Sequence, residues 1–168
     1  MSHRKTMLVL LIVSVAAVAL GEEGHPAARN VAQMKFAKFP GFPTCVTGSV
    51  QSGDPAKGAT VIASKAATGC IVPWHWHTPN EHLMIVSGTA RLEPKDGKAV
   101  TLRAGAFAMM PSHHAHQFRC TTACTLYVYS DSAFDIHYVD HEGKEISPDD
   151  AMKAVKEKAF KPTEGTSR

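Results

Sequence analysis

Gly69-Cys70-Ile71-Val72-Pro73-Trp74-His75-Trp76-His77-Thr78-Pro79-Asn80-Glu81-His82-Leu83-Met84-Ile85-Val86-Ser87-Gly88 is the most informative stretch of this 168-residue chain. Successive side chains of a strand alternate faces, so His75 and His77 project one way and Trp74 and Trp76 the other. Thr78-Pro79-Asn80 turns the chain, and Glu81 opens the returning strand where its carboxylate can join the two imidazoles. Two nitrogens and an oxygen aimed at one point suit a divalent transition cation. His82 follows Glu81 directly, and the same alternation aims it away from that point.

On either side of this stretch, short β-prone runs alternate with turn clusters. Thr60-Val61-Ile62-Ala63, Leu83 to Val86, Ala99 to Leu102 and Phe107 to Met110 are the clearest strands. Ser52-Gly53-Asp54-Pro55, Ser87-Gly88, Lys95-Asp96-Gly97-Lys98 and Ala104-Gly105 punctuate them. Runs and turns at this spacing predict an all-β antiparallel sandwich or barrel over residues 41–146. Only the tail, residues 147–168, departs from the pattern. Ser147 can cap, Pro148 suits the first helical position, and Asp149 and Asp150 favour the positive end of a helix. Residues 22–40 read as an irregular N-terminal arm.

A second histidine cluster lies in Gly105-Ala106-Phe107-Ala108-Met109-Met110-Pro111-Ser112-His113-His114-Ala115-His116. Together the two segments resemble the paired motifs of the cupin superfamily. Gly69, His75, His77, Glu81 and Gly88 fill the fixed positions of the first motif, and Gly105, Pro111 and His116 match the second. The resemblance implies a jelly-roll-like cupin barrel with one metal ion on His75, His77, Glu81 and His116. His113 stands where the family usually has glycine, and Cys120 where it often has asparagine. Histidine tolerates left-handed backbone better than most residues, so His113 suits a loop bend with its ring facing outward. Barrels of this kind can serve without metal, but such chains usually lose ligands, and all four are present here.

His114, two residues before His116, is either an acid–base group of the pocket or a polar residue of the loop tip. His137 sits beside Asp135 on a late strand, and a place lining the cavity and one outside it are both open. Trp74 and Trp76 need cover from the N-terminal arm or from a second subunit. The resemblance favours the second subunit, a homodimer. Leu83, Ile85, Phe107, Met109, Phe118 and Tyr127 are the expected apolar wall. Without an inward arginine, that wall disfavours a small dianion and favours an aromatic or diketone-like substrate.

Ser2-His3-Arg4-Lys5, the apolar run from Met7 to Leu20 and the small residues up to Gly21 have the order of a cleavable secretory signal over residues 1–21. The apolar run is short for a permanent anchor. Loss of Arg4 and Lys5 takes the formal charge from +3 to +1, leaving no basic footprint for nucleic acid. Four cysteines in an exported, secreted or periplasmic chain suggest disulfides. Cys120 and Cys124 flank a three-residue turn, where facing strand residues lie about 4.5–5.5 Å apart, so these two are expected to pair. Cys45 and Cys70 then remain, as a second bridge or as two small buried hydrophobes.

Three imidazoles and one carboxylate leave two positions open on an octahedral ion. Iron, manganese, nickel, copper and zinc all suit the set. The resemblance implies a metal-dependent oxygenase acting on a small oxygenated molecule, with Glu81 as ligand and proton acceptor. The other reading is a periplasmic module that binds a small molecule or metal without turnover.

Overall fold

The structure, a computed structural model, describes residues 28–160. The signal-peptide reading, the start of the arm and the tail beyond Phe160 lie outside the described residues. Among the described residues, ten strands form two antiparallel sheets. One has the order β1 (Val46–Gly53), β2 (Thr60–Ala66), β9 (Cys124–Ser130), β4 (Glu81–Ser87) and β7 (Phe107–Met110). The other runs β10 (His137–Tyr138), β3 (Ile71–Trp76), β8 (His116–Cys120), β5 (Thr89–Pro94) and β6 (Val100–Arg103). The all-β expectation holds, with one refinement. The sheets face each other as a jelly-roll-like sandwich and do not close into a continuous barrel.

The alternation legible in the sequence is what packs this core. Leu83 and Ile85 of β4, Leu126 and Val128 of β9, Leu92 of β5 and Phe118 of β8 all point between the sheets and are buried. Burying a side chain of this size contributes about 1.5–3 kcal/mol, and the opposite faces are left to solvent or to other cover. Thr78-Pro79-Asn80 does not join two strands of one sheet. It carries the chain from β3 across to β4 in the facing sheet. The 121–123 turn between β8 and β9 crosses in the same way, close to Gly88. There φ is +85°, and an added Cβ would lie 2.1 Å from the Ala123 carbonyl oxygen, so only glycine fits.

That crossing overturns the expected Cys120–Cys124 bridge. Cys120 pairs with Ala90 of β5 and Cys124 with Ala66 of β2, so the two never face each other across a hairpin. Both are buried thiols, and the Cys124 thiol donates to the Thr89 and Thr122 carbonyls. The disulfide joins Cys45, just before β1, to Cys70, just before β3.

The helix forms where its cap predicted, as α1 (Pro148–Phe160), with the Ser147 hydroxyl accepting the Asp150 N–H at 3.2 Å. It packs against β3, the strand carrying the two tryptophans. The Trp76 ring is further enclosed between His113 at 4.5 Å and His137 at 3.9 Å. Cover for this face therefore comes from the domain's own C-terminal half, where the sequence had suggested the arm or a second subunit. The arm itself bridges Gly48 through Ala37 and lays Phe39 against the glycine, whose missing Cβ leaves room for the ring.

Candidate metal centre

His75 lies within β3 and is the register partner of His116, the first residue of β8. His77 follows one residue after β3 ends, and Glu81 opens β4 in the opposite sheet. The fold thus brings donors from both sheets to one end of the sandwich. All four residues are buried, and their donor atoms lie within 4.8 Å of one another. Glu81 Oε2 stands 3.1 Å from His116 Nε2, and its Oε1 3.5 Å from His77 Nε2.

Each ring is oriented from behind by a backbone carbonyl. His75 Nδ1 faces the Pro73 carbonyl at 2.6 Å, His116 Nδ1 the His114 carbonyl at 2.9 Å, and His77 Nδ1 the Asp135 carbonyl. A carbonyl can only accept, so each Nδ1 carries the proton and each Nε2 keeps a lone pair directed at the centre. His77 Nε2 is buried with no hydrogen-bond partner. A buried polar atom without a partner is costly, and a cation at the centre would satisfy it. The donor set and its orientation fit a divalent transition ion.

The electrostatics favour the same protonation states. Burial, reinforced by the neighbouring imidazoles, pushes His75 well below the usual histidine range, and burial lowers His77. For Glu81 burial acts upward, but the attraction of His77 and the hydrogen bond from His116, both exerted when those rings carry a proton on Nε2, outweigh it and hold the carboxyl below its ordinary value. Neutral imidazoles and an ionised carboxylate are the forms that ligate.

The remaining candidates separate clearly. His113 sits at φ +59°, in the left-handed bend expected of it, with its ring on Trp76 and its Nδ1 2.7 Å from the Ser112 hydroxyl. His114 contributes its carbonyl to His116, and its side chain is not among the residues lining the cavity. His82 points to the outer face, near Tyr129 and Phe107. His137 also lies outside the cavity, 3.3 Å from Asp135 and 3.5 Å from Glu145.

The four residues line a cavity of about 280 Å³. Apart from Ser64 its other walls are apolar, with Phe39 from the arm, Phe42 just after it, Phe118 from β8 and Phe134 from the loop after β9. Among the described residues, Glu81 is its only acid and no lysine or arginine lines it. Leu83 and Phe118 take their expected places on the wall. Ile85 is buried elsewhere in the core, and Phe107, Met109 and Tyr127 face outward. The reason is register. Phe107 pairs with Met84 and Met109 with His82, so they share the outward parity of those residues. Phe39, Phe42 and the Phe134-Asp135 pair escaped the sequence reading, because none is linked to the ligands by local spacing.

Residues 65–130 match the family model described as the cupin domain. An RmlC-like cupin from Shewanella frigidimarina superimposes with a TM-score of 0.54 at 17% identity, over 65% of this chain and 92% of that one. The polyketide cyclase RemF from Streptomyces resistomycificus gives 0.59 at 16%, over 69% and 87%. An RmlC-like cupin from Ralstonia eutropha gives 0.58 at 16%, over 83% and 93%. At these identities the likeness is one of fold. No curated protein sequence matches the chain.

Proposed function

Because the chain belongs to the cupin superfamily, we propose that it is a metal-dependent enzyme of the oxygenase kind, acting on a small, uncharged phenolic or diketone-like compound. One observation carries this reading. Three oriented imidazoles and a carboxylate converge in a cavity whose other walls are apolar and aromatic apart from Ser64. When bound, a divalent transition ion supplies a Lewis acid for a substrate oxygen and, if it is redox-active, electron exchange with dioxygen.

The protein's own residues do the rest. The phenylalanine walls accept a planar ring or chain and exclude water, which strengthens every polar contact inside. His75, His77 and His116 hold the donor geometry through their carbonyl-anchored Nδ1 atoms. The Glu81 carboxylate, kept ionised, receives the proton that an enol or phenol loses on binding, and the backbone carbonyl of His114 keeps the His116 ring in place beside it. A small dianion such as oxalate finds no cationic partner on these walls.

Oxygen uptake and product mass, followed with metal-loaded protein over a panel of phenols and 1,3-diketones with oxalate as comparison, tests the reading. Turnover of an uncharged member and none of oxalate is expected. Saturable binding without turnover would instead make the protein a binding module, and a preference for oxalate would overturn the assigned substrate class.

The reading extends to location and assembly. The signal-like N-terminus and the Cys45–Cys70 disulfide both favour an exported protein in an oxidising compartment. The outer face of the β1-β2-β9-β4-β7 sheet favours a homodimer. Two rows cross it, Met109-His82-Tyr129-Val61 and Phe107-Met84-Tyr127-Ala63, without one formal charge. Phe107 is 62% exposed and Met109 47%. The other sheet presents Arg91, Glu93, Arg103 and Arg119 where α1 does not cover it. Among the described residues, α1 packs on that other sheet, and the arm leads to the cavity after laying Phe36 under Lys65 at one edge of this face. A second copy meets two uncharged rows, with Lys65 the nearest charge in the next row of the face, in a self-complementary contact.

A further inference from the structure

His75 and His116 are each held by a carbonyl two residues earlier in the chain. His77 has no such local support. It lies beyond the last residue of β3, and the carbonyl behind its Nδ1 belongs to Asp135, 58 residues further along. Its ring also rests on Phe134, centroid to centroid at 4.5 Å and nearly parallel. The orientation of one of the four ligands thus depends on where the loop between β9 and β10 sits.

Asp135 is the residue that ties this loop to the ligand strand. Its backbone oxygen faces His77 Nδ1, its Oδ1 accepts the Thr78 N–H at 2.7 Å, and its Oδ2 lies 3.3 Å from His137 Nε2. His137 in turn lies flat on Trp76, with centroids 3.9 Å apart and planes within 2°. Trp76 and Thr78 flank His77 in sequence. The three oxygens of one residue therefore grip His77 directly and through both of its neighbours.

We propose that Asp135 is a positioning residue for the metal centre, its carboxylate setting the loop so that its carbonyl aims His77 Nε2 at the ion. The inference rests on the metal-binding reading above. Disturbing a supporting hydrogen bond of this kind typically weakens metal affinity by roughly 10–100-fold. The carboxylate is 40% exposed, so replacing it disturbs the fold much less than it disturbs the ligand.

Cobalt(II) titration of metal-stripped full-length protein, followed through the visible bands of the ion, reads affinity and ligand geometry together. Asp135→Ala should bind about 10–100-fold more weakly with displaced bands, while the melting temperature of the metal-free protein stays close to that of wild type. Asp135→Asn keeps an oxygen for the Thr78 N–H and should recover most of the affinity. Should Asp135→Ala fail to fold, Asp135→Ser carries the same comparison. Unchanged affinity and bands in the alanine or serine variant would overturn the role of Asp135 while leaving the metal centre intact. So would equal losses in the asparagine and alanine variants. Wild-type protein that takes up no cobalt would instead remove the metal centre itself.

Discussion

His113, His114 and His116 lie within four residues of one another and hold three different positions. Strand register decides among them, since His116 alone pairs with His75 across β3 and β8 and turns its Nε2 to Glu81 at 3.1 Å. His113 spends its ring on Trp76, and His114 lends only its carbonyl to the ligand. His116→Ala should therefore lose more metal affinity than the roughly 10–100-fold that a supporting contact costs. His113→Ala and His114→Ala should keep metal near one per chain, because the carbonyl that faces His116 Nδ1 belongs to the backbone and survives the change at His114. Elemental analysis of the purified variants, with circular dichroism to confirm the fold, checks all three. Full occupancy in His116→Ala beside loss in His113→Ala would refute the assignment.

Among the elements, the connections that change sheet matter most. The 78–80 turn delivers Glu81 to the sheet opposite His75, and the crossing at residues 121–123 puts Cys120 and Cys124 on different sheets. The Cys45–Cys70 bridge ties the entrance of β1 to the entrance of β3, across a sequence separation of 25 residues. On the chain-entropy account, replacing both cysteines by alanine should cost about 3 kcal/mol in denaturant unfolding. The same pairing sets the thiol count. Alkylation of unreduced, denatured protein should label two cysteines, Cys120 and Cys124, and peptide mapping should recover Cys45 joined to Cys70. Labelling of all four, or of none, would contradict the pairing.

For the molecule as a whole, the contrast between the two outer faces is the feature with a consequence for assembly. One carries arginines and a helix, the other Phe107, Met109 and Tyr129 with no charge among them. Exposed apolar surface of this kind suits the homodimer proposed above. Light scattering should give twice the chain mass for wild type and a single chain mass for Phe107→Asp combined with Met109→Asp, with metal content unchanged. A wild-type monomer, or a double variant that stays dimeric, would refute the interface.

Much of this protein was legible in its local patterns. Alternation placed His75 and His77 on one face, turn residues marked the strand ends, and Ser147-Pro148-Asp149-Asp150 announced the helix, because pleat and capping depend only on near neighbours. The resemblance of two short segments added His116 and the fold. Tertiary structure decided the rest. Which sheet each strand joined set the parity of Phe107, Met109 and Tyr127 and the fate of the cysteines. It also brought Asp135 to His77, and Phe39 and Phe42 to the cavity. These contacts join residues far apart in the chain. They follow from which backbones hydrogen-bond across the sandwich, and no local periodicity encodes that.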